Sequence, residues 1–117
     1  VALSSITGNY GSNYYNSLSG LRDADLRLQA VANNVANSNT DGFRPDRVES
    51  SAEKSGGVRG MVVEANAAMV LPPKGPSQTD AATETINLTL ARRAFTANLK
   101  AIQSQREADE ATLSIIG

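Results

Sequence analysis

The sequence predicts a mainly α fold: two long helices, N-terminal and C-terminal, paired as a coiled-coil-like hairpin with a small β-hairpin excursion between them. Three observations carry this. Apolar residues recur at helical spacing between Asn13 and Asn37. From Asp80 to Ile115 there is no glycine or proline at all. Between Arg44 and Gln78 the helical period vanishes and Pro45, Gly56-Gly57, Gly60, Pro72-Pro73 and Gly75-Pro76 accumulate. The chain therefore divides into an N-terminal helical segment (1–43), a β and loop excursion (44–78) and a C-terminal long helix (79–117), together one structural domain.

Residues 1–12 are rich in Ser, Gly, Asn and Tyr, and are expected to form a loose or weakly helical lead-in. Beyond them Tyr14, Leu18, Leu21, Leu28, Val31, Ala32 and Val35 fall on one side of a helix. Asp25 occupies the missing step of that stripe, either at its edge or held by a partner. Asp23 and Arg27 stand four apart in the favourable order, a surface pair of about 0.3 kcal/mol.

The helix runs out through a cluster of four asparagines, Asn33, Asn34, Asn37 and Asn39. Asn competes for backbone hydrogen bonds inside a helix and for that reason suits helix ends and turns. Asn37, Asn39 and Asp41-Gly42 read as a helix terminus and a tight turn, with Gly42 taking positive φ. The cluster serves either as a plain helix exit or as a set of amides that fix register between subunits. In the second case Asn34→Ala leaves the monomer nearly unchanged and weakens assembly; in the first the monomer loses stability.

In the excursion, Arg47-Val48-Glu49 begins a first strand and Gly56-Gly57 makes the hairpin turn. Val58, Met61-Val62-Val63 and Ala68-Met69-Val70-Leu71 supply further short strands. Gly56-Gly57-Val58-Arg59-Gly60 is no phosphate loop, since it lacks the Lys-Ser/Thr ending and the helix that would follow. Gly75-Pro76-Ser77 stops this region, and Ser77, Thr79 or Asp80 caps the next helix. At 1.5 Å per residue that helix is roughly 50 Å long and the first about 37 Å, too long to hide in a compact globule of this size.

The C-terminal helix carries two stripes about 100° apart. Leu88, Ala91, Phe95, Leu99, Ile102, Leu113 and Ile116 form the bulky one, suited with Leu18 and Val31 to packing between the two helices of one chain. Leu90, Ala94, Ala97, Ala101, Ser104, Ala108 and Ala111 form the small one, which lets another backbone approach closely or reflects helix propensity alone. Arg92-Arg93 and the charges from Arg106 to Glu110 read as solvated faces.

Composition narrows the function. With two Phe, three Tyr and no Trp in 117 residues, large groups for a self-sufficient core are few, so apolar surface finds cover on another chain. A net charge of −1 with scattered basic residues gives no footprint for nucleic acid. Cysteine and histidine are absent, which removes disulfides, thiolate chemistry, zinc sites with nitrogen and sulfur ligands, and histidine acid or base catalysis. No catalytic, metal or cofactor residues are assigned, and no enzyme is expected. No apolar run approaches the ~20 residues that span a bilayer, and no basic-then-apolar secretory signal opens the sequence.

Leu18-Ser19-Gly20-Leu21, Arg27-Leu28, Ala32-Asn33-Asn34-Val35-Ala36-Asn37, Asn39-Thr40 and Gly42-Phe43-Arg44 resemble the N-terminal signature of the flagellar rod, hook and hook-associated axial proteins. Residues 84–116, centred on Ala94-Phe95-Thr96-Ala97-Asn98, resemble that family's C-terminal helix. The short overall length looks most like the proximal-rod, FlgC-type class. The middle of the chain departs from that class, with Pro72-Pro73 and Gly75-Pro76 in place of a fuller proline- and tyrosine-bearing stretch. The resemblance implies a bacterial basal-body rod subunit that polymerises through its terminal helices into an axial tube. It implies as partners the chain itself, neighbouring axial proteins and the flagellar type III export apparatus, and as location the periplasm-spanning rod. The interface it implies comprises Leu21, Leu28, Asn33, Asn34, Val35, Asn37, Ala94, Ala97, Ala101 and Ala108. The competing reading is a soluble helical-hairpin adaptor or chaperone that holds a partner helix in its Ala-lined groove.

Overall fold

A computed structural model describes residues 2–64 and 74–116, and for residues 2–10 the backbone alone. The order is α1 (Ala2–Ala36), β1 (Asp46–Ala52), β2 (Val58–Glu64) and α2 (Ala81–Ile116). Two long helices packed together with a small antiparallel hairpin between them is the architecture the periodicity predicts. The expected strand at Ala68-Met69-Val70-Leu71 lies outside the described residues.

At its start the first helix takes the helical of the two expected alternatives, and more fully than expected: residues 2–12 continue it, so α1 runs 35 residues. No proline interrupts this stretch, and extending a formed helix costs far less than nucleating one, so Gly8 and Gly11 are tolerated. At the other end α1 stops at Ala36, and Gly42 takes φ 73°, the left-handed turn conformation expected of it. The second helix begins one residue beyond Asp80, whose Oδ1 accepts the Ala82 N–H at 3.3 Å and whose Oδ2 accepts the Thr83 hydroxyl at 2.7 Å. Asp80 is thus the cap, with its carboxyl held below the ordinary 3.8 by those two bonds, the Thr83 hydroxyl first. Its contribution to stability is present above pH 3.8 and is lost as the pH falls below that value.

The helices run antiparallel. Asn34 meets Glu84, and Gly20 lies against Asn98; moving back along α1 moves forward along α2 by the same number of residues. The contact is made by small side chains: Ala24, Ala30, Val31 and Ala91 are the buried apolar residues among those described. At Gly20 a β-carbon would collide with the Asn98 side chain, so glycine makes room there for that amide. The bulky residues flank this seam. Phe95 and Ile102 are half-buried, Leu18, Leu88 and Leu99 lie at its exposed margin, and Leu113 and Ile116 stand in solvent. The expected bulky core is therefore corrected to a thin seam of small residues, because the row of α2 turned to α1 is Glu84, Ala91 and Asn98 at heptad spacing, which sets the larger side chains to either side. Ala32 and Val35, expected on the packed side of α1, are exposed as well.

β1 and β2 pair from Asp46↔Glu64 to Ala52↔Val58, closed by a loop in which Gly56 and Gly57 both take positive φ. The hairpin rests on α1. Ser19, buried, accepts the Val58 N–H at 3.0 Å and donates to the Asn16 carbonyl at 2.7 Å. Gly57, at φ 84°, passes so close to the Ser19 hydroxyl that a β-carbon would collide with it. One helical turn on, the expected Asp23–Arg27 pair forms at 3.0 Å, and Arg27 also donates to Ser50 of β1 at 2.6 Å. Ser19→Ala leaves the Val58 amide without its acceptor, and should cost about 1 to 2 kcal/mol in a urea titration. A midpoint equal to the parent's would show that water replaces the hydroxyl.

The result is long and narrow, 65 × 25 × 15 Å, with a radius of gyration of 19.3 Å. A compact domain of this length would have about 13 Å.

Candidate functional site

The asparagine cluster is where α1, the hairpin and α2 converge. Asn34 is 1% exposed and is the largest side chain fully removed from solvent among the described residues. Its Oδ1 accepts the Asp46 N–H at 2.7 Å while its Nδ2 donates to the Asp46 carbonyl at 2.9 Å. The amide thereby pairs with one residue's backbone as a neighbouring strand would. That requires a donor and an acceptor on one short planar group. Nδ2 donates further to Glu84 Oε1 at 3.1 Å, and the Asn34 carbonyl accepts the Thr79 hydroxyl at 3.1 Å. One residue at the end of α1 thus ties down the start of β1 and the start of α2.

The other asparagines cap the exit locally. Asn33 donates to the Asp46 carboxylate at 2.7 Å, Asn37 donates back to the Asn33 carbonyl at 2.9 Å, and Thr40 donates to Asn37 Oδ1 at 3.1 Å. Backbone bonds from Gly42 to the Gly75 carbonyl at 2.7 Å, and from Gln78 to the Phe43 carbonyl at 2.9 Å, bind the turn to the segment leading into α2.

Glu84 is the anomaly of the junction. It is 4% exposed, and its Oε2 has no hydrogen-bond partner. Burial pushes its carboxyl above the ordinary 4.5; the Asn34 bond opposes that rise and the Asp80 charge adds to it. A carboxyl raised by folding stabilises the folded chain below pH 4.5, and that contribution is lost as the pH rises through the folded-state value. Glu84→Gln keeps an acceptor for Asn34 and removes the charge. It should raise stability at pH 8 and flatten the decline seen in the parent from pH 4.5 upward, as urea midpoints across that range will show. A parent and variant with parallel pH profiles would place the titrating group elsewhere.

Beside this junction a groove of about 320 Å³ runs between the helices, with Ala30, Val31 and Ala91 at its floor and Arg27, Arg47 and Asn87 at its rim. Among the described residues no cluster of His, Cys, Asp or Glu has the makings of a metal site, and no helix is long and apolar enough to cross a membrane.

The residues expected at an assembly interface fall into two groups. Asn34 is held within its own chain, and Leu21, Leu28 and Asn37 are half-buried. Asn33, Val35, Ala94, Ala97, Ala101 and Ala108 are exposed. Of those expected to pack within the chain, Val31 is buried and Phe95 and Ile102 are half-buried. Sequence reasoning missed Glu84 and Asp46, the two partners of the Asn34 side chain. One signal was available: Glu84 lies a heptad before Ala91, so it falls on the packed face of α2, where a charge needs a partner.

Fold and junction together define an elongated helical hairpin, pinned at one end by a buried amide and leaving much of its apolar surface open. Residues 15–44 match the family model described as flagella basal body rod protein, which supports the rod and axial family. The matched segment runs along α1 from Tyr15 through the asparagine exit to Arg44; the hairpin and α2 lie outside it. No curated protein matches the chain. That description names a component of the flagellar basal body.

Proposed function

We propose that this chain is a structural subunit of the bacterial flagellar basal-body rod, of the proximal-rod class, which polymerises through its terminal helices into the axial tube. The carrying observation is the coincidence of the rod-family segment with a helix whose apolar residues are not used up within the chain. Tyr15, Leu18 and Val35 on α1, and Ile86, Leu90, Leu113, Ile115 and Ile116 on α2, are all exposed. A chain of this kind gains much of its stability by mass action from neighbours. Its partners are further copies, neighbouring axial proteins, and the flagellar type III apparatus that exports it to the periplasm-spanning rod. Asn33, Val35, Ala94, Ala97, Ala101 and Ala108 belong to the contacts between subunits, and Asn34 holds the geometry they depend on.

Deleting the gene tests this. Cells should become non-motile, basal bodies isolated from them should lack a complete rod, and an epitope-tagged copy should restore motility and copurify with basal bodies. Motile cells with intact rods would overturn the proposal.

A further inference from the structure

We infer that the chain is built as two bodies, α1 with its hairpin and α2, joined by a latch at Glu84 that is shut while its carboxyl is protonated and opens when that carboxyl ionises. The inference does not depend on the rod reading. The hairpin is tied to α1 from its turn to its open end: Val58 to Ser19, Ser50 to Asp23 and Arg27, and Asp46 to Asn33 and Asn34. The second helix packs against α1 and against neither strand. Glu84 and Ala91 are its buried residues among those described. Among the same residues, the one hydrogen bond that joins a side chain of α2 to α1 is the bond Asn34 donates to Glu84.

That bond leaves Glu84 poorly held. Asn34 Nδ2 carries two protons and both are spent, one on the Asp46 carbonyl and one on Glu84 Oε1. Oε2 is closed to solvent and has no donor. On α1, Arg27 lines the same groove but is turned to Asp23 and Ser50; on β1, the Asp46 carboxylate is held by Asn33 and Arg47 lies beside Glu49; on the approach to α2, Asp80 adds a second negative charge one turn back. The ion pairs among the described residues do not include Glu84. A protonated carboxyl is tolerated in such a place, whereas a carboxylate needs donors that it does not have. Lifting the first turns of α2 into water supplies them. The interface of α1 with the hairpin stays shut, since the carboxylates of Asp23 and Asp46 both accept donors there.

Opening weakens the hold of Glu84 on its proton, so ionisation favours the open form. With one group responsible, the ratio of open to closed chains rises by at most about tenfold per pH unit from 4.5 upward and levels off at the folded-state value. The lead-in to α2 remains fixed to the exit turn by the backbone bonds of Gly42 to Gly75 and of Gln78 to Phe43, and serves as the pivot. Thr96, twelve residues beyond Glu84, then moves on an arm of about 18 Å.

The chain has no cysteine, so introduced thiols carry spin labels at chosen positions only. Ala32→Cys/Thr96→Cys, at exposed positions of the two helices, reads the distance between the bodies, and Ala32→Cys/Ser51→Cys reads α1 against the hairpin. Each labelled full chain is diluted into an excess of unlabelled chain, so that only distances within one copy count, and is measured from pH 4.5 to pH 8. The first pair should be close and narrowly distributed at the acid end and should gain a longer population that grows with pH and then levels off, while the second pair stays fixed. Glu84→Gln added to the first pair should keep it close throughout. Asp80→Asn keeps a cap and removes the neighbouring charge, so the longer population should level off at a lower pH than in the parent. A first pair that does not respond to pH overturns the inference, and this series on the parent decides even where a variant fails to fold. Glu84→Gln opening along with the parent, or Asp80→Asn moving the plateau upward, would place the titrating group elsewhere and overturn it too. So would both pairs lengthening together, because the chain would then be unfolding as a whole.

Discussion

Asn34→Ala should lower the unfolding free energy of the isolated chain by about 2 to 4 kcal/mol, the largest loss expected from any asparagine in the cluster. The substitution strips the Asp46 N–H, the Asp46 carbonyl and Glu84 Oε1 of their partner in a site that is closed to solvent. Each buried group left without a partner costs about 1 to 3 kcal/mol, less where water enters the cavity. Asn34→Asp keeps the shape, yet it loses the donor and sets a second carboxylate beside Glu84. It should be worse than alanine at neutral pH and recover as the pH falls. Asn33→Ala is the control: its bond to Asp46 is exposed, so its loss should stay within about 0.5 kcal/mol. Urea midpoints of the three variants decide the matter. Equal midpoints for Asn33→Ala and Asn34→Ala would mean that the bonds of Asn34 to Asp46 and Glu84 add nothing to the stability of the monomer.

Ala91→Leu should have a comparable effect through packing. Ala91 and Ala24 are buried in the seam between the helices, and three more carbons on Ala91 must compete with Ala30 and Val31 for the groove beside it. Overpacking a site of this kind costs about 1 to 3 kcal/mol, and because the seam holds few residues it should also loosen the pairing beyond. Ala97→Leu, on the exposed face, should leave the monomer within about 0.5 kcal/mol of the parent. The same change tests assembly, since a larger side chain at Ala97 fills the space a neighbouring helix would occupy. Thermal melts beside sedimentation separate the two effects. An unfolded Ala97→Leu or an undisturbed Ala91→Leu would reverse the assignment of the faces.

What was legible in the sequence was local. An uninterrupted run without glycine or proline located α2 to within a residue, and the glycine pair located the hairpin turn. The extent of α1 was not legible, because Ser, Asn and Gly are poor helix formers and continuation of a formed helix outweighed them. The seam was misread for a related reason. Bulk is not the mark of burial here: Ala24 and Ala91 are buried and Gly20 is tightly approached, while Leu88 and Leu99 lie at the margin. The junction of Asn34, Asp46 and Glu84 was half legible. The asparagine stood out as costly without a task, but its partners lie on separate elements that periodicity alone does not bring together.

We propose that this slender hairpin is completed by copies of itself and of similar subunits. Sedimentation velocity of the purified chain over rising concentration, with electron microscopy of the heaviest fractions, tests it most directly. The account predicts a labile monomer at low concentration that passes into ordered filaments or ring-like oligomers, with amide protection of the terminal helices rising in step. A chain that remains a monomer at the highest concentration reached, with both helices already slow to exchange along their whole length, would contradict it.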